Sequence, residues 1–129
     1  MGSHTLCKEE RLCGERNFAS LLEHGQTFFL TPYKVFWIKN PETDSFPTRF
    51  AVSAPKRRFK RAVKRNLLKR RTREAFRTNK HILNTAVENG EQIHLLVIYA
   101  SDQLLPFVEL ENSMKKILQR IAKSVQKIH

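Results

Sequence analysis

The longest apolar run in the chain, Leu95 to Ala100, limits the available folds more than any other segment. Six residues fall far short of the roughly 18 that a membrane-crossing helix requires. They suit a strand, which with the preceding residues runs from Gln92 to Ala100. Successive side chains of a strand point to opposite faces, so a run that is apolar throughout must be covered on both sides, in the interior of a sheet. Other strands must then flank it. Thr27 to Leu30 and Lys34 to Lys39 are rich in aromatic and β-branched residues and bracket Thr31-Pro32, which reads as a turn. After the polar loop Asn40 to Ser45, Arg49 to Ser53 is expected to complete a three-stranded meander, and Asn89-Gly90 marks the turn into the fourth strand.

Helical spacing appears in three places. Phe18, Leu21 and Leu22 predict a short helix over Asn17 to Glu23, with Gly25 placed to end it in a left-handed conformation. Pro55 bars a helix from starting much before Lys56, but nothing interrupts one from Phe59 to Thr78. Leu110, Met114, Ile117, Leu118, Ile121, Val125 and Ile128 form the stripe of a long amphipathic helix, which more often packs on a sheet than lies on a membrane. The order helix, three strands, basic helix, strand, helix predicts an α+β fold, a two-layer sandwich of a four-stranded sheet with helices on one side.

The 129 residues contain no repeat or Gly/Ser linker, so one domain is expected over 1–129. Residues 1–5 are expected to be disordered or a cloning remnant, and Met1 to Leu6 is too short and polar for a secretory signal. Cys7 and Cys13 are read as free thiols in a reducing compartment, with metal binding the remoter alternative. A cytoplasmic location follows as an expectation.

The chain carries 24 Lys plus Arg against 12 Asp plus Glu, and the position of the excess is more telling than its size. Lys56 to Lys80 contains thirteen basic residues and one acid, Glu74; the rest of the chain holds eleven of each sign. A surplus confined to one segment indicates a local polyanion-binding surface. At 100° per residue, Arg65, Asn66, Lys69, Arg70, Arg73 and Arg77 fall within an arc of about 140°. Leu67, Leu68 and Ala75 lie near the opposite side, with Arg71 interrupting the apolar face and Phe76 the charged one. Arg71 is expected to carry its head out to water.

Like charges at i, i+4 repel, and only Glu74 offers local relief, so an external anion is the physical reason to keep them. Phosphodiesters fit, because arginine offers a planar fork to two oxygens and each neutralised phosphate releases counterions. A solvated charge run is the plainer alternative, although surface helices ordinarily mix signs. Among polyanions, anionic lipid lacks support from adjacent exposed apolar residues. A zipper-type DNA reader needs heptads after the basic helix, and none follows Lys80. Folded RNA suits a helix that grips phosphates over a broad surface.

The segment Ser53 to Arg77, reading Ser-Ala-Pro-Lys-Arg-Arg-Phe-Lys-Arg-Ala-Val-Lys-Arg-Asn-Leu-Leu-Lys-Arg-Arg-Thr-Arg-Glu-Ala-Phe-Arg, closely resembles the signature of the bacterial ribonuclease P protein subunit. The core Ala-Val-x-Arg-Asn-x-x-Lys-Arg-x-x-Arg-Glu-Ala is matched at every fixed position, over Ala62 to Ala75. The Leu6 to Arg11 opening and Asn17-Phe18 are also similar to the family's N-terminal region, so the likeness covers most of Leu6 to Lys80. The C-terminal third agrees only in its strand-then-helix pattern. The resemblance implies a sandwich with a mixed four-stranded sheet, like the second domain of ribosomal protein S5, with a left-handed βαβ crossover through the basic helix.

It further implies a protein cofactor of a catalytic RNA that removes the 5′ leader from precursor tRNA in a Mg2+-dependent endonucleolytic step. The metal would be bound mainly by the RNA, with no organic cofactor, no membrane and no obligate protein partner. Carried over residue by residue, Arg65, Asn66, Lys69, Arg70 and Arg73 would clamp phosphates of the catalytic RNA. Lys56 and Arg57 match a preceding basic pair, and Arg61 and Arg77 extend the set. A second surface of the family, a cleft between the first helix, the basic helix and the sheet, holds the single-stranded leader. Phe18, Leu22, Phe36 and Ser53 would line it, with Leu22 where relatives often have an aromatic residue and Phe36 in place of a frequent tyrosine. Ordinary core packing is the alternative for Phe18, Leu22 and Phe36.

Residue chemistry agrees with a non-catalytic protein. A two-metal phosphodiesterase site needs clustered carboxylates, whereas Glu9, Glu10, Asp102, Glu109 and Glu111 are dispersed. His4, His24, His81, His94 and His129 show no close pairing in sequence. Two alternatives remain at this level: a ribosomal protein or RNA chaperone using the same helix, and a protein nuclease in its own right.

Overall fold

The computed structural model describes residues 21–41, 48–85 and 91–127. Residues 1–5, Cys7, Cys13, Phe18, the 42–45 stretch of the polar loop, the Asn89-Gly90 turn and Ile128 lie outside the described residues. A helical turn at residues 21–24 (α1) leads into strands β1 (Gln26–Leu30), β2 (Tyr33–Pro41) and β3 (Thr48–Ser53). Helix α2 (Ala62–Asn79) and the short α3 (His81–Asn84) precede β4 (Glu91–Tyr99) and the long α4 (Phe107–Lys127).

The four strands form one mixed sheet in the order β1-β2-β4-β3. β1 pairs antiparallel with β2, β2 antiparallel with β4, and β3 parallel with β4. The expected meander is therefore corrected: β3 leaves β2 and joins the far side of β4. The reason lies in β4. Ile93, Leu95, Leu96, Val97 and Tyr99 are all buried, and an edge position would expose the ladder groups along one side of this apolar strand. Parallel pairing of β3 with β4 requires a crossover, which α2 supplies.

Alternation along the strands separates two faces. Tyr33, Val35, Trp37, Phe50, Ile93, Leu95, Val97 and Tyr99 join the main core with Leu68, Ala75 and Phe76 of α2, Leu83 of α3, and Leu110, Met114, Ile117, Leu118, Ile121 and Val125 of α4. Phe50 and Phe76 stack with ring centroids 4.2 Å apart, and Tyr33 meets Tyr99 edge-on at 5.7 Å. Thr72 enters this core with its hydroxyl 2.8 Å from that of Tyr33, so neither polar group is left unsatisfied. On the opposite face Leu21 packs with Leu96, and Phe36, Ile38, Ala51 and Ile98 surround them. The helices are thus not confined to one side: α1 lies across the sheet from the other three, because β4 has two apolar faces to cover.

Gly25 does end α1, but not in the left-handed region. Its N–H donates to the Leu21 carbonyl at 2.9 Å, and an added Cβ would stand 2.4 Å from that oxygen and 3.0 Å from the carbonyl oxygen of Trp37. Lack of space, rather than backbone handedness, calls for glycine here.

Candidate nucleic-acid interface

α2 begins at Ala62, three residues later than its composition predicts. The Pro55 carbonyl accepts from the N–H groups of Arg58 and Phe59, forming a turn that carries Lys56 and Arg57 into solvent. Phe59 then drops into the core beside Tyr99, with ring centroids 5.8 Å apart. Arg65 completes the entry: its Nη1 donates to the carbonyls of Phe59 at 2.7 Å and Lys60 at 2.9 Å. The first turn has neither an acidic residue nor a side-chain cap, so this guanidinium does local structural work as well as carrying charge.

The buried stripe of α2 is Leu68, Thr72, Ala75, Phe76 and Asn79, rotated from the stripe expected around Leu67, Leu68 and Ala75. Phe76 is the residue that shifts it, since its stack on Phe50 draws that side of the helix inward. The rotation brings Arg65 to the margin of the core. It leaves Asn66 and Arg70 exposed, with Lys69, Arg73 and Arg77 half-buried. Val63, Asn66, Leu67, Arg70 and Arg73 line one shallow groove along the outward face.

Several of the other cations are engaged within the protein. Arg71 does not reach for water as expected; its Nη1 donates to the Leu105 carbonyl at 3.0 Å and ties α2 to the segment before α4. Arg77 forks onto Glu74, with Nε donating at 2.9 Å, and this bond raises the guanidinium pKa above its ordinary value. Arg58 pairs with Asp102 at 2.9 Å. Arg61, just before the helix, is exposed with Lys56 and Arg57.

The open face of the sheet forms a second surface. The registers align Thr27, Phe36, Leu96 and Ala51 in one row across the strands, and Phe29, Lys34, Ile98 and Ser53 in the next. Phe36 and Ser53, expected to contact the leader, therefore share a face. Leu22 is exposed on the turn whose neighbour Leu21 packs against it. Phe18 lies outside the described residues. α2 packs on the other side of the sheet, so among the described residues this face is bounded by α1 and strands, which corrects the expected cleft between α1, α2 and the sheet.

Sequence reasoning missed Phe29, exposed at the β1 edge, and Arg49 and His94, which occupy one row with Ile38. Strand parity with Phe36 and Ser53 was the available signal. The Lys34 ammonium lies 5.3 Å from the centre of the Phe36 ring, putting a cation beside an aromatic surface. His94 Nε2 lies 2.9 Å from Gln92 Oε1, a satisfied pair inside the strand.

Among the described residues no group of three His, Cys, Asp or Glu side chains is arranged to hold a metal ion, and no helix is long and apolar enough to cross a membrane. The family model for ribonuclease P matches residues 6–122. The chain belongs to the ribonuclease P protein family. It is similar to the ribonuclease P protein component of Porphyromonas gingivalis, with 38% identity over 122 residues that cover 93% of this chain and 88% of that relative. The ribonuclease P protein component of Petrotoga mobilis is 39% identical over 80 residues, covering 62% of this chain and 64% of the relative.

The solved RNase P proteins share the fold. The one from Thermotoga maritima superposes with a TM-score of 0.69 at 23% identity, covering 86% of this chain and 96% of that one. The one from Staphylococcus aureus gives 0.66 at 22%, covering 88% and 95%. Membership makes the chain a protein component of ribonuclease P, with RNA binding and tRNA processing as its field of action.

Proposed function

We propose that the chain is the RNA-binding subunit that assists a catalytic RNA in cutting the 5′ leader from precursor tRNA. One observation carries the reading: within a segment that matches the family signature, Asn66, Arg70 and Arg73 line a single outward groove. Arginine forks along a helix face match successive phosphates of folded RNA, and Lys56, Arg57, Arg61, Lys69 and Arg77 extend the cationic surface around them. Arg65 would hold the chain entering α2 and add its charge at the helix start.

On the opposite side of the sheet, Phe36 and Ser53 with Leu22 at the margin form the proposed leader surface, to which Phe18 would add a ring. A base stacked on an aromatic ring is worth about 1 to 3 kcal/mol and tolerates many sequences. The RNA would carry the Mg2+ that supplies the cleavage chemistry. The protein's part is to lower phosphate repulsion between the two RNAs and position the leader; Glu74, the single acid of the basic segment, is engaged by Arg77.

The test incubates purified protein and precursor tRNA at low magnesium, with and without the cognate catalytic RNA. Cleavage at the authentic 5′ end only when protein and RNA are both present supports the reading. Cleavage by protein alone overturns it in favour of a protein nuclease, and binding without any stimulation of cleavage favours an RNA chaperone.

A further inference from the structure

A second cationic surface lies on α4. Lys115, Lys116, Gln119, Arg120 and Lys123 are all exposed, and Lys116, Gln119, Arg120, Lys123 and Ser124 line a common groove. Lys116, Arg120 and Lys123 follow i, i+4, i+7, so they stand on one side of the helix along about 10 Å of its axis. Among the described residues none of these three cations forms an ion pair. The groove is separate from that of α2: the seam between the helices is held by Glu111, which accepts from Asn79 at 3.1 Å, and by Arg71 on the Leu105 carbonyl.

Helix stability does not account for this stripe. Like charges at i, i+4 repel, and the favourable interaction of cations with a helix C-terminus fades beyond the last turn. α4 ends at Lys127, so Lys116 and Arg120 lie outside that turn. Arg120 is also held in a particular way. Its guanidinium carbon sits 4.2 Å from the centre of the Phe28 ring, a contact that occupies the flat face of the group and leaves the N–H donors at its edge available. Such an arrangement suits a phosphate, whose oxygens accept along the guanidinium plane.

A membrane surface does not fit. The exposed large apolar side chains among the described residues are Leu22, Phe29, Val63 and Val108; only Val108 belongs to α4, about two turns before Lys116. We infer that the Lys116-Arg120-Lys123 groove is a second binding site for the phosphate backbone of the catalytic RNA, resting on the proposed function above. α2 and α4 cover the same face of the sheet, so one large RNA lying on the helical layer would meet both grooves. The leader surface lies on the opposite face, which assigns α4 to the catalytic RNA rather than to the substrate.

The experiment compares the full chain with Lys116→Gln/Arg120→Gln/Lys123→Gln and with Arg70→Gln/Arg73→Gln, measuring affinity for catalytic RNA from 50 to 400 mM monovalent salt. Loss of three phosphate contacts is expected to make the log-affinity against log-salt slope shallower by about two to three and to weaken binding roughly tenfold or more at low salt. Lys116→Gln/Lys123→Gln, which leaves Arg120 on Phe28, should show a smaller loss of the same kind and serves if the triple variant unfolds. Unchanged affinity and slope in the α4 variants, with loss in the α2 variant, overturns this inference alone. Unchanged values in all of them overturn the proposed function as well. A loss seen only for precursor tRNA added to a preassembled complex also overturns the assignment to the catalytic RNA.

Discussion

α2 and α4 cover the same face of one sheet, yet they handle charge and burial in opposite ways. α4 segregates, with Leu110, Met114, Ile117, Leu118, Ile121 and Val125 fully buried and Lys115, Lys116 and Lys123 outside. α2 buries the polar Thr72 and Asn79, each needing a partner: Tyr33 for one, Glu111 and the Ala75 carbonyl for the other. Several of its cations, or those just before it, bind carbonyls or carboxylates of the protein, whereas the α4 cations of the Lys116 groove point to solvent. The difference teaches that formal charge on a helix is not the same as charge available to a ligand. Arg71 has a full charge and a structural task; Arg70, one residue earlier, faces the groove.

The comparison breaks first at Phe76. If the inner side of α2 is as integral to the core as that of α4, Phe76→Ala will cost about 3 to 5 kcal/mol, comparable to the roughly 2 to 5 of Ile117→Ala, by chemical denaturation. A cost under 1 kcal/mol would show α2 to be loosely held and the Phe50 stack unimportant. Next in size is the outward side. Arg70→Ala/Arg73→Ala should weaken catalytic-RNA binding roughly tenfold and make its salt slope shallower by about two, while Arg70→Ala alone keeps stability within about 0.5 kcal/mol.

Arg65 sharpens the distinction between structural and available charge. Arg65→Ala should cost about 1 to 2 kcal/mol of stability and speed amide exchange around the helix entry, because two carbonyls lose their donor. Arg70→Ala should leave both unchanged. Phe36→Ala is expected to reduce the preference for precursor over mature tRNA by several-fold, within the range of one lost stacking contact. An equal loss for both RNAs would remove Phe36 from the leader surface.

The smallest effect is one of pH. Burial pushes the Tyr33 phenol well above its ordinary 10.0, outweighing the opposing hydrogen bond from Thr72, and burial also raises Tyr99. A raised folded-state pKa means that the folded chain holds its proton after the unfolded chain has lost it. Stability from these phenols is therefore complete below about pH 10 and falls as pH rises past that value. Tyr33→Phe should reduce the steepness of this alkaline loss, read as the denaturation midpoint against pH, and leave the neutral plateau flat.

Much of this architecture was legible along the chain because it depends on local periodicity. The apolar double-sided run identified β4 as interior, the i, i+4, i+7 stripe identified α4, and the clustering of thirteen basic residues marked α2. The signature over Ala62 to Ala75 carried the family itself. Strand order was not legible, since a local pattern says that β3 is a strand but not whether β2 or β4 will be its neighbour. Nor was the side of the sheet taken by α1, which depends on which apolar face the other helices leave uncovered.

Charge divides in the same way. Composition and spacing determined how many cations this chain has and that their excess clusters in and just before one helix. Only the tertiary structure decided which of them reach a ligand, because carbonyls such as those of Phe59, Lys60 and Leu105 come within reach of Arg65 and Arg71 only after the connecting segments pack. The same holds for Arg120, whose hold on Phe28 joins residues 92 positions apart. Hydrogen bonds and ring contacts act over a few ångströms in space, and separation along the chain does not encode that distance.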